Sequence, residues 1–313
     1  MHFPFRKRIG SVAAVLAVSG AALVVSPLAS AGAQPPTTHQ MLVNAARTES
    51  AAYLQYYGYA NAADRTHQLK LANDWRIVAR VEHQDHWTHE ETLGSFYSGT
   101  DNVANLKTAI SQANETASLD RGWAARNPTS RAAQVLKTVA ARETGDARLL
   151  SQALTALQTH GTFPNAPSVT RARETVSMQP KYSGTFYNDL TGAMNSGLEQ
   201  AAWLWAEYQY IAKTAVDTGH ADVARLLSGL QDQERYQNWV EISNAAGYVN
   251  GTVTNLENSV AGEQGAIDMY TQYANQANKD GKPSSAKVFK SIRGDEVGHR
   301  HTFSIELRQA THG

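Results

Sequence analysis

Four pairs of side chains able to hold a cation or move a proton recur along this 313-residue chain at a spacing of three: Glu82 with Asp85, Glu143 with Asp146, Glu234 with Gln237, and Glu296 with His299. On a helix, residues three apart are neighbours, so each pair aims at one point. Two more acids stand on stripes that are otherwise small or aromatic. Glu49 shares a face with Ala52, Tyr53, Tyr56, Ala60 and Ala63, and Glu263 with Ala266, Ile267, Tyr270, Ala274 and Ala277. Such faces pack inward, and a buried carboxylate costs several kcal/mol unless it is paired, hydrogen-bonded or metal-bound. Oxygen donors with a few imidazoles are the chemistry of hard divalent cations.

The elements that must position these groups are helical. From Gln40 to Leu157 the apolar residues recur at three and four, with breaks near Thr66, at Ser98 to Asn102 and at Asn127 to Ser130. Asp101 or Asn102, and then Thr129 or Ser130, suit the N-caps of the third and fourth helices. Gly161 to Gly184 carries Pro164, Pro167 and Pro180 and reads as a linker. Four more helices follow, broken at Gly219, at Gly247 to Gly251, and at Asp280 to Pro283. The chain also repeats itself. A shift of 214 lays Glu49–His89 on Glu263–Phe303 with ten of 41 positions identical, among them Glu49/Glu263, Tyr56/Tyr270 and Glu82/Glu296. Shifts of 62 and 153 bring Glu234 and Glu143 onto Glu296 in the same way. One helical hairpin therefore occurs four times, and consecutive pairs are expected to form four-helix bundles.

The hairpin in GEQGAIDMYTQYANQANKDGKPSSAKVFKSIRGDEVGHRHTF resembles that of the rubrerythrins, within the ferritin-like superfamily. Glu263, Gly281, Glu296 and His299 carry the resemblance, with Gly281 18 residues after Glu263 and Glu296 15 residues after Gly281. NLKTAI at Asn105 to Ile110 is similar to the opening of that family's third helix. The resemblance implies a carboxylate-bridged dinuclear iron or manganese site, with one Glu from each of two helices and Glu-x-x-His from each of the other two. The match departs from this set at several positions. Asp85 and Asp146 replace the two histidines expected in the first bundle. Its missing Glu is either Glu115 or, by strict alignment, a position held by Ala113. In the second bundle Ala201 takes a Glu position and Gln237 a His position, which leaves Glu263, Glu296 and His299 with Glu234 as a bridge. His86 or His89 could stand in for the imidazole lost at Asp85, or both could be surface or core-edge residues. Tyr56 and Tyr270 could hydrogen-bond ligand carboxylates or simply pack. Trp203, Trp205, Trp239 and the Tyr53–Tyr59 run could line a channel or fill the core.

Composition narrows the alternatives. With 28 basic and 28 acidic residues and no basic block beyond the N-terminus, a nucleic-acid footprint is not expected. The absence of Cys excludes disulfides, iron–sulfur clusters, thiol nucleophiles and the cysteine-rich rubredoxin-like module that supplies electrons in rubrerythrins. Arg6-Lys7-Arg8, an apolar run from Ile9 to Val25 and the small residues through Ala33 read as a secretory signal, cleaved after Ala31 or Ala33, leaving no stable membrane anchor. The expected layout is all-α: a signal over 1–33, two tandem ferritin-like four-helix bundles over 34–160 and 185–313, and a linker over 161–184. The expected function is a secreted metal-binding protein, a di-iron or di-manganese oxidoreductase acting on O₂, peroxide or Fe²⁺. The candidate ligands are Glu49, Glu82, Asp85, Glu115, Glu143, Asp146, Glu234, Glu263, Glu296 and His299. The alternative is a metal-free scaffold with degenerate sites that binds a partner or ligand.

Overall fold

The computed structural model describes residues 36–126, 128–177 and 185–312, so the expected signal over 1–33 lies outside the described residues. Among them the structure is all-α, with ten α-helices: α1 Thr38–Arg65, α2 Leu69–Val81, α3 Thr88–Gly94, α4 Asn102–Arg126, α5 Arg131–Thr159, α6 Thr185–Asp217, α7 Ala221–Gln233, α8 Trp239–Ala246, α9 Thr252–Lys279 and α10 Pro283–His312. A π-helical turn, Glu82–Trp87, joins α2 to α3 as one rod, and a second, Glu234–Asn238, joins α7 to α8. The breaks fall where the sequence places them. Asp101 caps α4 through Ala104 N (3.0 Å), and Ser130 caps α5 through Ala133 N (3.0 Å). Gly219 and Gly281 close two hairpins at φ 80° and 68°, a backbone region that favours glycine. None of the described helices is long and apolar enough to cross a membrane.

The pairing of hairpins differs from the expected one. Consecutive hairpins do not share a bundle over 34–160 and 185–313. Instead α1, α2–α3, α9 and α10 form one four-helix bundle, and α4, α5, α6 and α7–α8 form the other. The chain leaves the first bundle after α3, makes the whole of the second, and returns at α9. The physical reason lies in the repeat itself. Four hairpins of similar pattern offer similar apolar faces, so pairing first with fourth and second with third can satisfy the same kind of contacts as pairing neighbours, as in a domain swap.

Equivalent side-chain brackets fix the two crossing loops. Asn105 accepts from Ser98 N (2.8 Å) and donates to Ser98 O (2.7 Å), while Asn255 does the same with Asn250 (2.9 and 2.7 Å). The bundles meet along α1 and α6. Over Leu198–Tyr208, α6 is buried almost all round, as a helix between two bundles must be. Its Trp205 stacks on Tyr53 of α1 at 4.3 Å. Residues 160–177 run as an extended strap over this seam, tied down by Ala172 N to Tyr236 O (2.9 Å) and Ser177 N to Val249 O (2.8 Å).

Candidate metal centre

The first bundle brings four carboxylates and two imidazoles to one buried point. Glu49 comes from α1, Glu82 and His86 from the first π turn, Glu263 from α9, and Glu296 and His299 from α10. Donor atoms of Glu49, Glu82, His86 and Glu296 lie within 4.8 Å of one another, as do those of Glu82, Glu263, Glu296 and His299. Glu82 and Glu296 belong to both groups and divide their oxygens between them. Glu82 turns Oε2 to His86 Nδ1 (2.9 Å) and Oε1 to His299 Nδ1 (3.2 Å). Glu296 turns Oε1 to His86 Nδ1 (3.4 Å) and Oε2 to His299 Nδ1 (3.3 Å). Each outer position has one more carboxylate, Glu49 at 3.7 Å from His86 and Glu263 at 3.8 Å from His299.

His86 stands four residues after Glu82, whereas His299 stands three after Glu296. The π turn absorbs the extra residue and returns the imidazole to the interior face. Asp85, at the expected i+3 position, is turned outward and pairs with exposed His89 at 3.1 Å. His86 is therefore the residue that supplies the imidazole. The outer nitrogen of His86 faces the half-exposed Asp295 Oδ2 at 3.4 Å.

The surrounding hydrogen bonds follow the 214-residue repeat. Tyr56 of α1 donates to Glu263 of α9, and Tyr270 of α9 donates to Glu49 of α1. Tyr270 also lies 2.8 Å from Glu90. The one phenol is thus shared between two carboxyl groups. Burial raises the Glu90 carboxyl well above its ordinary range, and the hydroxyl that Tyr270 turns toward it acts in the other direction.

Burial likewise raises Glu49 and Glu263, reinforced by the charges of Glu82 and Glu296. Burial also acts upward on Glu82, but His299 and His86 outweigh it and hold that carboxyl well below its usual value. His299 is pushed up to about 10: burial alone would lower it, and the carboxylates of Glu82 and Glu296 reverse the effect. His86 is raised by Glu296, Glu49 and Glu82 against the same penalty of burial. The cluster thus satisfies its charges with protons on imidazoles and carboxyls, or equally with cations. A cavity of about 30 Å³ beside the carboxylates, walled by Thr48, Ala52, Gly262 and Ala266, has room for about one water-sized molecule.

The second bundle collects Glu143, Asp146 and Glu234 within the same 4.8 Å limit. The other ligand positions have changed. Ala113 and Ala201 are buried where the first bundle has Glu263 and Glu49. Asn238, four after Glu234 in the second π turn, replaces His86. Its amide NH₂ donates to Glu143 (2.9 Å) and Glu234 (3.1 Å), because Arg142, held by Glu241 (2.7 Å), occupies its carbonyl oxygen (3.0 Å). Gln233 donates to Asp146 at 2.6 Å. Burial raises Glu143 and Asp146 well above their usual range and Glu234 to about 7. Glu115 is exposed on α4 and joins neither cluster. Asp120, five residues further along α4, is buried instead. The expected six-carboxylate site of Glu49, Glu82, Asp85, Glu115, Glu143 and Asp146 is thus divided between bundles, as is the expected set of Glu234 with Glu263, Glu296 and His299.

The described residues form two helical bundles, each around a buried carboxylate cluster. Residues 254–312, which supply Glu263, Glu296 and His299, match the family model described as Rubrerythrin. No curated protein and no solved structure matches the chain.

Proposed function

We propose that this chain is an exported, carboxylate-bridged dinuclear metal protein, with its centre in the bundle of α1, α2–α3, α9 and α10. Glu49 and His86 would hold one ion, Glu263 and His299 the other, and Glu82 and Glu296 would bridge them. The observation that carries this reading is the division of the Glu82 and Glu296 oxygens between two imidazole-bearing half-sites. Charge supports it as well, since two divalent cations balance the four carboxylates without any of the shared protons. The donor set of four carboxylates and two imidazoles suits iron or manganese. Such a pair, when bound, supplies electron exchange with O₂, peroxide or an incoming Fe²⁺.

The chain's own residues do the rest. Tyr56 and Tyr270 orient Glu263 and Glu49, Tyr270 also reaches Glu90, and Asp295 faces the outer nitrogen of His86. The small residues around the adjoining cavity limit access to molecules of a few atoms. In the second bundle, amide donors from Asn238 and Gln233 take the place of cations, which supports a structural role for Glu143, Asp146 and Glu234.

The test is thermal unfolding of chelator-stripped mature protein with and without Mn²⁺ or anaerobic Fe²⁺. Saturating metal should raise the Tm by several degrees, since ligand at about 100 times Kd adds about 2.7 kcal/mol. Glu296→Gln should abolish the gain. An unchanged Tm in the wild-type protein would refute the proposal.

A further inference from the structure

The seam between the bundles holds a second cavity, of about 150 Å³, which shares no lining residue with the cavity beside the carboxylate cluster. Three elements build it: α1 through Tyr57, Asn61 and Arg65, the strap through Arg173 and Glu174, and the second π turn with α8 through Arg235, Tyr236 and Trp239. The π turn that aims Glu234 inward aims the next residue, Arg235, to the opposite side. The Arg235 guanidinium lies 4.5 Å from the Tyr57 ring centre, 5.1 Å from that of Tyr236 and 5.6 Å from that of Tyr53, and donates to Tyr53 Oη at 3.3 Å. Among the described residues no carboxylate lies within ion-pair distance of it. The one acid in the lining, Glu174, is already engaged by Asn61 Nδ2 (3.3 Å) and Arg65 (3.7 Å). Arg65 in turn is anchored on the Glu174 carbonyl at 2.6 Å.

Three arginines thus line the cavity with one committed carboxylate, and the Arg235 guanidinium, set over aromatic rings, spends one hydrogen bond on Tyr53 and keeps donors to spare. Such a fork recognises carboxylates and phosphates. The aromatic and aliphatic walls, Tyr57, Trp239, Leu54 and Val240 among them, favour a planar apolar body behind the anionic group. The volume corresponds to about five waters, which restricts the ligand to a small molecule. A concave pocket at a seam between bundles, with aromatic walls and several convergent polar groups, is the setting in which such ligands bind. We propose that this seam cavity binds a small planar monocarboxylate, its carboxylate on Arg235 and its body against Tyr57 and Trp239.

The mature chain would be titrated with benzoate, acetate and inorganic phosphate by calorimetry and ligand-observed NMR. Benzoate should bind one saturable site with Kd of about 1 mM or tighter. Arg235→Gln should weaken it at least tenfold, and Tyr57→Ala should weaken benzoate while leaving acetate unaffected. Arg148→Gln, outside the cavity, should change nothing. Urea unfolding of each variant separates loss of binding from loss of fold, and Arg235→Lys gives a second variant that keeps the charge but lacks the fork. The proposal is overturned if benzoate does not saturate, if both Arg235 variants bind it like the wild type, or if phosphate binds and benzoate does not. None of these results depends on metal, so failure here leaves the dinuclear reading standing.

Discussion

Asp120→Asn isolates the cost of a charge buried without a partner. Asp120 is about 1 % exposed, and neither carboxylate oxygen has a hydrogen-bond partner among the described residues. Burial, then the charge of Glu234, pushes its carboxyl from 3.8 up to about 7. Folded protein therefore holds a proton that unfolded chain has released between about pH 4 and 7, and stability falls as pH rises through that window. Each pH unit is worth about 1.4 kcal/mol, so between pH 5 and 7 this one group removes about 3 kcal/mol. Asparagine keeps the shape and carries no charge. Urea unfolding of chelator-stripped protein at pH 5 and pH 8 should show the wild type losing about 3 kcal/mol more than the variant, which becomes the more stable of the two at pH 8. Groups that do not interact with Asp120 cancel in the difference, whereas Glu234 and Glu143 lose a neighbouring charge in the variant. Equal pH dependence within about 0.5 kcal/mol would refute the burial of an ionisable Asp120 and with it the described face of α4.

Four further outcomes follow from particular contacts. A Cβ on Gly58 would stand 2.9 Å from Trp239, 3.0 Å from Glu174 and 3.1 Å from Val249, so Gly58→Ala should destabilise the bundle seam by about 1–3 kcal/mol in urea unfolding. Tyr270→Phe removes the donor to both Glu49 and Glu90; Mn²⁺ affinity by calorimetry should fall about tenfold. His89→Ala should alter stability by less than about 0.5 kcal/mol because His89 and its partner Asp85 are both exposed. His86→Ala, by contrast, should remove the metal-dependent rise in Tm.

The helices, their breaks and the inward faces of Glu49, Glu82, Glu263, Glu296 and His299 are legible in the sequence because the 3.6-residue period and the repeat both report burial. The partnership of the hairpins is not. Tyr56 and Tyr270 look equivalent in sequence, and nothing in that equivalence says that Tyr56 bonds Glu263 or Tyr270 bonds Glu49 across the same bundle. The π turns explain the misplaced ligands. An i+3 rule points to Asp85 and Gln237, whereas the widened turn presents His86 and Asn238. A sequence signal for this does exist: each of the two hairpins carries its imidazole or amide one residue late, at a spacing of four. Asp120 escaped notice for a related reason, as its counterpart by the Asn105/Asn255 brackets is Tyr270, so alignment gives no acid there.

The central claim is that one bundle holds both ions and the other holds none. Metal analysis of Mn²⁺-reconstituted, desalted protein by mass spectrometry tests it directly, comparing wild type, Glu82→Gln and Glu143→Gln. The account predicts two ions per wild-type chain, two in Glu143→Gln, and fewer than one in Glu82→Gln, since Glu82 faces both half-sites. Two ions retained in Glu82→Gln, or a loss on Glu143→Gln, would contradict it.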